Sequence, residues 1–170
     1  MAHGGGDYAV LPYDVVILIT GIISFICLFL TWAVVNVDNA MASLTNEMSG
    51  LDVLDQQNYD LRYYPLLACA FGLLTAVFAM LQMVLRNKSL CNVSIITQML
   101  TLIFAFFFIS RVSINETIDL GGIISINHAV SAGYASYVVL VCTIVGLVSA
   151  LIQALRANTE DSANRLVYLG

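Results

Sequence analysis

The sequence has very little charge. Only 10% of its 170 residues are Asp, Glu, Lys or Arg, whereas 60% are hydrophobic. A soluble domain carries roughly 25% charged residues, and so few charges cannot cover the surface of a soluble domain of this size. The composition therefore excludes a soluble globular protein and predicts an integral membrane protein whose main surroundings are the lipid bilayer.

Basic residues are scarce as well. Six Lys and Arg stand against eleven Asp and Glu, which gives a net charge of -5. Binding to nucleic acid needs a clustered basic face that neutralises phosphates. We therefore expect no nucleic-acid partner.

Four segments contain no charged residue at all: 15–35, 65–85, 90–110 and 134–155. Each has the length of about 20 residues that a helix needs to cross a hydrocarbon core. The apolar runs are continuous, whereas the strands of a membrane barrel alternate apolar and polar residues. The sequence therefore predicts an all-α fold, a four-helix bundle that forms a single membrane domain over residues 1–170.

The segments between the predicted spans differ in length. Residues 36–64 and 111–133 form two outer loops, the first of them longer, and residues 156–170 form a tail. Spans two and three are joined by a short turn, so they must be antiparallel neighbours. The first loop contains a stretch, 40–48, that we interpret as a short amphipathic helix.

The basic residues indicate an orientation. Four lie on the side of the termini and two on the side of the long loops: Arg86, Lys88, Arg156 and Arg165 against Arg62 and Arg111. Positive residues prefer the cytoplasmic side. We expect a multi-pass protein of the cell membrane with both termini in the cytoplasm.

Ionisable residues are absent from the four charge-free windows. Proton relays, coupled transporters and charged pores usually need such a residue at depth. The polar residues in the windows are Thr, Ser, Asn and Gln, among them Gln82 and Gln98. We interpret them as hydrogen-bonding contacts between helices.

Cysteine is absent from both outer loops. The four cysteines, Cys27, Cys69, Cys91 and Cys142, fall one in each span, which excludes a disulfide-stapled outer domain. No cysteine pair has zinc-site spacing, and no catalytic constellation is visible. We therefore expect no enzyme activity, no catalytic residue, no metal and no cofactor.

Small residues recur one helical turn apart in two spans. Gly72 is followed by Ala76, and Gly146 by Ala150. Such pairs let two helix backbones approach closely in a membrane. The sequence leaves open whether these faces pack within the bundle or join two copies of the chain.

The outer loops carry candidate contact residues. The turn Ser49, Gly50, Leu51 and Asp52 is predicted to contact other proteins. Neighbouring acidic residues could gather calcium, although their spacing matches no ordered calcium loop. In the second loop, Asn115 begins an Asn-Glu-Thr sequence that is a glycosylation acceptor if it faces the outside.

The layout resembles the claudin-like tetraspan membrane proteins. The shared features are a first span ending in Trp32, a longer first outer loop with Ser49-Gly50-Leu51, a tight basic inner turn and a shorter second loop. Asp52 stands where that family has its signature Trp, and the paired loop cysteines are absent. The chain also resembles small uncharacterised prokaryotic four-span proteins. The tetraspan resemblance implies outer loops that contact other membrane proteins or modulate a larger complex.

These observations predict a non-enzymatic structural, assembly or accessory subunit. It would bind other membrane proteins or copies of itself through helix packing and outer-loop contacts. The alternative is a homo-oligomeric channel or pore for ions or small solutes, lined by the polar faces of spans two and three.

Overall fold

The computed structural model describes residues 12–38, 42–56, 60–85, 89–120 and 124–168 of the chain. Its main elements are four long helices: α1 (Pro12–Ile26), α3 (Tyr63–Leu85), α4 (Ser89–Val112) and α5 (Tyr134–Tyr168). A 3-10 turn, Cys27–Phe29, extends α1. Each helix, with that turn added to α1, contains a segment that is long and apolar enough to cross a membrane. The prediction of four apolar helices long enough to cross a membrane is therefore confirmed, although the first helix ends before its predicted span does.

The four helices form a ring in which each contacts two neighbours. α1 packs on α3 and α5, and α4 packs on the other sides of the same two helices. α3 and α4, which the short connection predicted to be antiparallel neighbours, are in extensive contact. The interior of the bundle therefore receives one face from every helix.

A four-stranded antiparallel sheet lies at one end of the bundle, so the all-α prediction is wrong for the outer loops. Its strands are β1 (Thr31–Asp38), β2 (Ser43–Ser49), β3 (Ile114–Leu120) and β4 (Ile124–Ala132), in the order β2-β1-β4-β3. A short helix, α2 (Gly50–Asp55), follows β2. We call this end of the bundle the sheet end and the other the opposite end.

The first strand begins inside the window that predicted the first span. The apolar run continues to Val35, but α1 and its 3-10 turn end at Phe29. The strand reads Thr-Trp-Ala-Val-Val-Asn-Val-Asp, which is rich in the β-branched and aromatic residues that favour strands. It occupies the centre of the sheet, where Val35 pairs with Asn46 on one side and Val130 on the other.

The predicted short helix at residues 40–48 is also wrong, because Ser43–Ser49 form strand β2. Every second residue of this strand, namely Leu44, Asn46 and Met48, is followed by a smaller or polar residue, so the sequence has a period of two. Two residues apart is the spacing of one strand face. Pairing with the whole of β1 satisfies the backbone on one side of this strand.

Trp32 anchors the sheet to the bundle. The side chain is fully buried, and its indole Nε1 donates a hydrogen bond of 2.7 Å to the Cys27 carbonyl. The ring meets Phe108 of α4 edge to face, with 5.3 Å between ring centroids. A buried aromatic pair of this geometry contributes about 0.5–1.5 kcal/mol beyond its apolar burial. Trp32 and Phe108 therefore form the centre of an apolar core at the sheet end.

The outward faces of the bundle are apolar. Exposed Ile, Leu, Val, Met and Phe side chains line all four helices; examples are Ile19, Ile22, Leu73, Val77, Met80, Ile96, Met99, Ile103, Phe106, Val141, Val145 and Val148. A soluble protein rarely exposes such continuous apolar surface. These faces indicate a multi-pass membrane protein.

The last helix is longer than its predicted span. α5 continues beyond residue 155 to Tyr168, through most of the predicted tail. The apolar part ends at Arg156, whose guanidinium lies over the ring of Tyr13, 5.0 Å from its centroid. A cation–π contact therefore joins the start of α1 to α5 at the opposite end.

Candidate functional site

The sheet has one apolar face and one polar face in its first two strands. On the polar face, Thr31 donates to the Glu47 carboxylate at 2.8 Å, and Thr45 donates to Asn36 Oδ1 at 2.8 Å. On the other face, Val35 and Met48 pack against the apolar core. The apolar face therefore points toward α2 and the bundle.

A groove of about 400 Å³ lies between this apolar face and α2. Its lining is mostly apolar and comes from strands β1, β2 and β4 and from α2: Ala33, Val35, Asn46, Met48, Val53, Gln56, His128 and Val130. A concave, mainly apolar site with a few polar groups is the usual form of a binding site. This groove is the candidate contact site at the sheet end.

Beside the groove, β2 carries an exposed apolar residue that we call the Leu44 rim. Leu44 lies two residues before Asn46 on the same strand face, and 67% of its surface is exposed. β2 is an edge of the sheet, and among the described residues it pairs only with β1. An exposed edge with an apolar side chain can pair with another chain.

The predicted contact turn has a local structural role that sequence reasoning missed. Ser49 caps α2, since its Oγ accepts from the Asp52 backbone N–H while the Asp52 carboxylate accepts from the Ser49 backbone N–H at 2.8 Å. This reciprocal arrangement is a capping box. The hydrogen bonds from Ser49 lower the pKa of the Asp52 carboxyl below its ordinary value. The signal was present in the sequence as Ser-x-x-Asp.

Gly50 and Leu51 differ in their surroundings. A Cβ atom on Gly50 would come within 2.7 Å of the Leu28 carbonyl oxygen and 3.0 Å of the Trp32 ring. Only glycine therefore allows α2 to start against the anchor tryptophan. Leu51 is exposed, so it is the apolar residue of the turn that is open to a partner.

The first pair of small residues lies inside the bundle. A Cβ atom on Gly21 of α1 would meet the Gly72 carbonyl oxygen at 2.7 Å and the Ala76 nitrogen at 2.8 Å. A Cβ atom on Gly72 would in turn meet the Ser24 Cβ at 2.7 Å. The two backbones approach closely at this crossing of α1 and α3, as small residues permit in a membrane.

The second pair also lies inside the bundle. A Cβ atom on Gly146 would come within 2.2 Å of the Gln98 amide and 2.6 Å of Thr20 Oγ1, so this glycine makes room for a polar side chain. Ala150 is buried against Ile17 and Ala79. Both pairs of small residues therefore serve packing within one chain.

The interior of the bundle away from the sheet is polar. Thr75 of α3 and Thr97 of α4 share a hydrogen bond of 2.7 Å. Other buried polar residues follow along all four helices: Thr20, Ser24, Gln82, Ser94, Gln98, Thr101, Thr143, Ser149 and Gln153. Most hydroxyls also donate to the carbonyl of the preceding turn, as Thr143 does to Val139.

A carboxylate stands at the opposite end of this polar interior. Asp14 is 3% exposed and lies in α1, within the apolar segment Pro12–Phe29. Its Oδ1 accepts a hydrogen bond from Gln82 Nε2 at 3.1 Å and another from Gln153 Nε2. The expectation that the spans hold no ionisable side chain is therefore wrong, because the charge-free window began one residue after Asp14.

The fourth helix contributes a thiol to the same place. Cys91 Sγ lies 3.5 Å from the Ala150 carbonyl oxygen and 3.7 Å from Gln153 Oε1. We call Asp14, Gln82, Cys91 and Gln153 the carboxylate–amide cluster. One residue comes from each helix, so the cluster exists only in the folded bundle.

The remaining candidate residue lies in the sheet beside β4. Asn115 belongs to edge strand β3, where its backbone pairs with Ala129, and its glycosylation stays a prediction. Among the described residues, no group of three or more His, Cys, Asp or Glu side chains could hold a metal ion. The described cysteines are all free thiols.

The chain matches no protein-family model and no curated protein. The resemblance to claudin-like tetraspan proteins therefore stays a prediction from the sequence layout.

Proposed function

We propose that the protein is a non-enzymatic membrane subunit that binds a neighbouring protein through its sheet end. The observation that carries this proposal is the apolar groove between the sheet and α2, together with its exposed Leu44 rim. A sheet normally exposes a polar face to water, and here hydrogen-bonded Thr, Asn and Glu side chains form that face. The open apolar face therefore fits an apolar side chain of a partner.

The edge strand supports a protein partner in particular. An extended peptide segment that lies along β2 can use its exposed backbone groups, while its alternate side chains enter the groove. Leu51 on α2 adds a second exposed apolar contact beside the same strand. The partner in this proposal is another membrane protein with an extended apolar segment at the membrane surface.

The alternative of an oligomeric pore has less support. It requires polar faces of α3 and α4 that look outward, toward other copies of the chain. Gln82 and Gln98 are instead buried inside the bundle. The exposed residues of the two helices are apolar except near the ends of α4, at Asn92, Ser110 and Arg111. A pore between copies would be lined by side chains such as Leu73, Met80 and Ile103.

We also propose that the protein lies in the cell membrane with the sheet outside and both termini in the cytoplasm. Arg156 borders the apolar part of α5 at the opposite end, whereas Arg62 and Arg111 lie at the sheet end. An epitope tag at the carboxyl terminus should react with antibody only after the cells are permeabilised. Reaction with intact cells would reverse the proposed orientation.

The test of function compares two adjacent residues on β2. Leu44→Lys places a charge on the groove side, whereas Thr45→Lys places the same charge on the polar side of the same exposed strand. After gentle extraction from native membranes, native mass spectrometry should find a bound partner with the wild type and Thr45→Lys. Leu44→Lys should lose that partner by at least tenfold.

Either of two results would contradict the proposal. One is equal partner retention by Leu44→Lys and Thr45→Lys. The other is a wild-type protein that leaves the membrane as a lone chain with nothing bound.

A further inference from the structure

The carboxylate–amide cluster combines a buried acid with buried oxygen atoms. Asp14 and Gln82 are 3% and 4% exposed. Gln82 donates to Asp14 through Nε2, but Gln82 Oε1 is buried without a hydrogen-bond partner. A buried carbonyl oxygen without a partner is unfavourable, so the presence of Gln82 Oε1 in this cluster points to a ligand that is bound by oxygen atoms.

Two more oxygens lie in the same layer. Gln153 Oε1 lies 3.7 Å from the weakly donating thiol of Cys91, and the same thiol lies 3.5 Å from the Ala150 carbonyl oxygen, which belongs to the hydrogen-bonded backbone of α5. Half a turn of either glutamine amide exchanges its nitrogen and oxygen without changing its shape. Both amides can therefore present oxygen, rather than N–H, to the space beside Asp14.

We propose that the carboxylate–amide cluster binds a monovalent alkali cation such as Na⁺. Hard cations take carboxylate, amide and backbone carbonyl oxygens as ligands, and these are the groups that α1, α3 and α5 supply here. The cluster contains a single carboxylate, which balances a single positive charge.

The cluster lies close to the opposite end of the bundle. Gln82 lies one helical turn from the end of α3 at Leu85, and Gln153 lies one turn from Arg156. A cation from the water at the opposite end therefore crosses about 5 Å of protein to reach Asp14. On the other side, the apolar core around Trp32 and Phe108 blocks continuation to the sheet end.

The experiment measures the thermal unfolding midpoint of the purified protein in detergent. NaCl replaces choline chloride at constant ionic strength and pH 7.5, so that screening is unchanged. Binding to the folded state stabilises it by mass action. The midpoint should rise by about 5–10 °C when Na⁺ is a hundredfold above its dissociation constant, and it should go on rising with the logarithm of the Na⁺ concentration.

Three variants assign the effect to the cluster. Asp14→Asn keeps the shape of the side chain and should abolish the response to Na⁺. Gln82→Leu keeps the carboxylate and should require about tenfold more Na⁺ for the same rise in the midpoint; it carries the test if Asp14→Asn does not fold. Asp52→Asn removes an acid at the sheet end and should leave the response unchanged.

Two results would overturn the proposal. One is a wild-type midpoint that is the same in NaCl and choline chloride. If such a protein is stabilised by acid alone, the cluster binds only a proton and the proposal is equally wrong. The other is a Na⁺ response that survives both Asp14→Asn and Gln82→Leu.

Discussion

The two ends of the bundle interior are built from different chemistry. At the sheet end the core holds Trp32, Phe108, Val53 and other large apolar side chains. Away from the sheet it holds glycines, threonines, glutamines and Asp14. Water surrounds a sheet outside the membrane, so apolar burial drives packing there. Lipid is as apolar as leucine, so helices within it associate through close contact and hydrogen bonds instead.

The largest predicted effect is the loss of the apolar anchor. Trp32→Ala removes the indole from the Cys27 carbonyl and from Phe108 and leaves a cavity beneath the sheet. We expect a loss of about 3–5 kcal/mol in the free energy of unfolding, measured by reversible denaturation in detergent. Phe29→Ala is the matched control, because Phe29 is 58% exposed, and an equal loss there would contradict the anchor role of Trp32.

The next effect concerns close helix contact away from the sheet. The Cβ atom of Gly21→Ala would meet backbone atoms of Gly72 and Ala76, which cannot move away without shifting α3. The Cβ atom of Gly146→Ala would meet the Gln98 amide and Thr20 Oγ1, which belong to side chains. We expect a cost of about 1–3 kcal/mol for Gly21→Ala and a smaller cost for Gly146→Ala.

Unfolding of the two glycine variants under the same conditions measures this difference. Ile22→Ala, at an exposed position of the same helix, serves as the control for α1. A larger cost at Gly146 than at Gly21 would show that the α1–α3 crossing is not the tight one.

A smaller effect is expected for hydrogen bonds between helices. Thr75→Val and Thr97→Val each remove one partner of the hydrogen bond that joins α3 to α4. A double-mutant cycle should give a coupling of about 0.6 kcal/mol, typical of such bonds in a membrane. Coupling close to zero would mean that the polar interior contributes through packing alone.

The smallest effect concerns the cap of α2. The folded state lowers the pKa of Asp52, so the ionised carboxylate contributes stability above the ordinary Asp pKa of about 3.9. That contribution is lost as the pH falls through the lower, folded value. Thermal unfolding midpoints between pH 3 and pH 6 should converge for wild type and Asp52→Asn at the acid end. Midpoints that separate further in acid would contradict this sign.

The sequence predicted the helices better than it predicted the sheet. Charge-free windows find spans because charges are excluded from lipid, and each of the four windows contains a long apolar helix. The same windows cannot separate helix from strand in a continuous apolar run, so Thr31 to Val35 were assigned to the first span. Strand pairing between β1 and β4 joins residues about a hundred positions apart, and no local pattern contains that information.

The small-residue pairs and the carboxylate–amide cluster illustrate the same limit. Gly72 and Gly146 could be recognised in the sequence as members of small-residue pairs. Their neighbours in the fold, Gly21 and Gln98, could not. Gly21, for example, is followed one turn later by Phe25 rather than by a small residue. Asp14 was missed because a search for charge-free windows leaves out every charged residue, including one that borders a window. An acidic residue two positions inside a helix start, with Gln near the ends of two other spans, was the available signal.

Binding of a protein partner by the apolar sheet face is the central claim, and photo-crosslinking tests it most directly. A photoreactive amino acid is placed at position 44 or 45 in the native membrane, and crosslinked products are identified by mass spectrometry. We expect a defined protein adduct from position 44, on the groove side, and at least tenfold less from position 45. Equal adducts from both positions, or none from position 44, would contradict it.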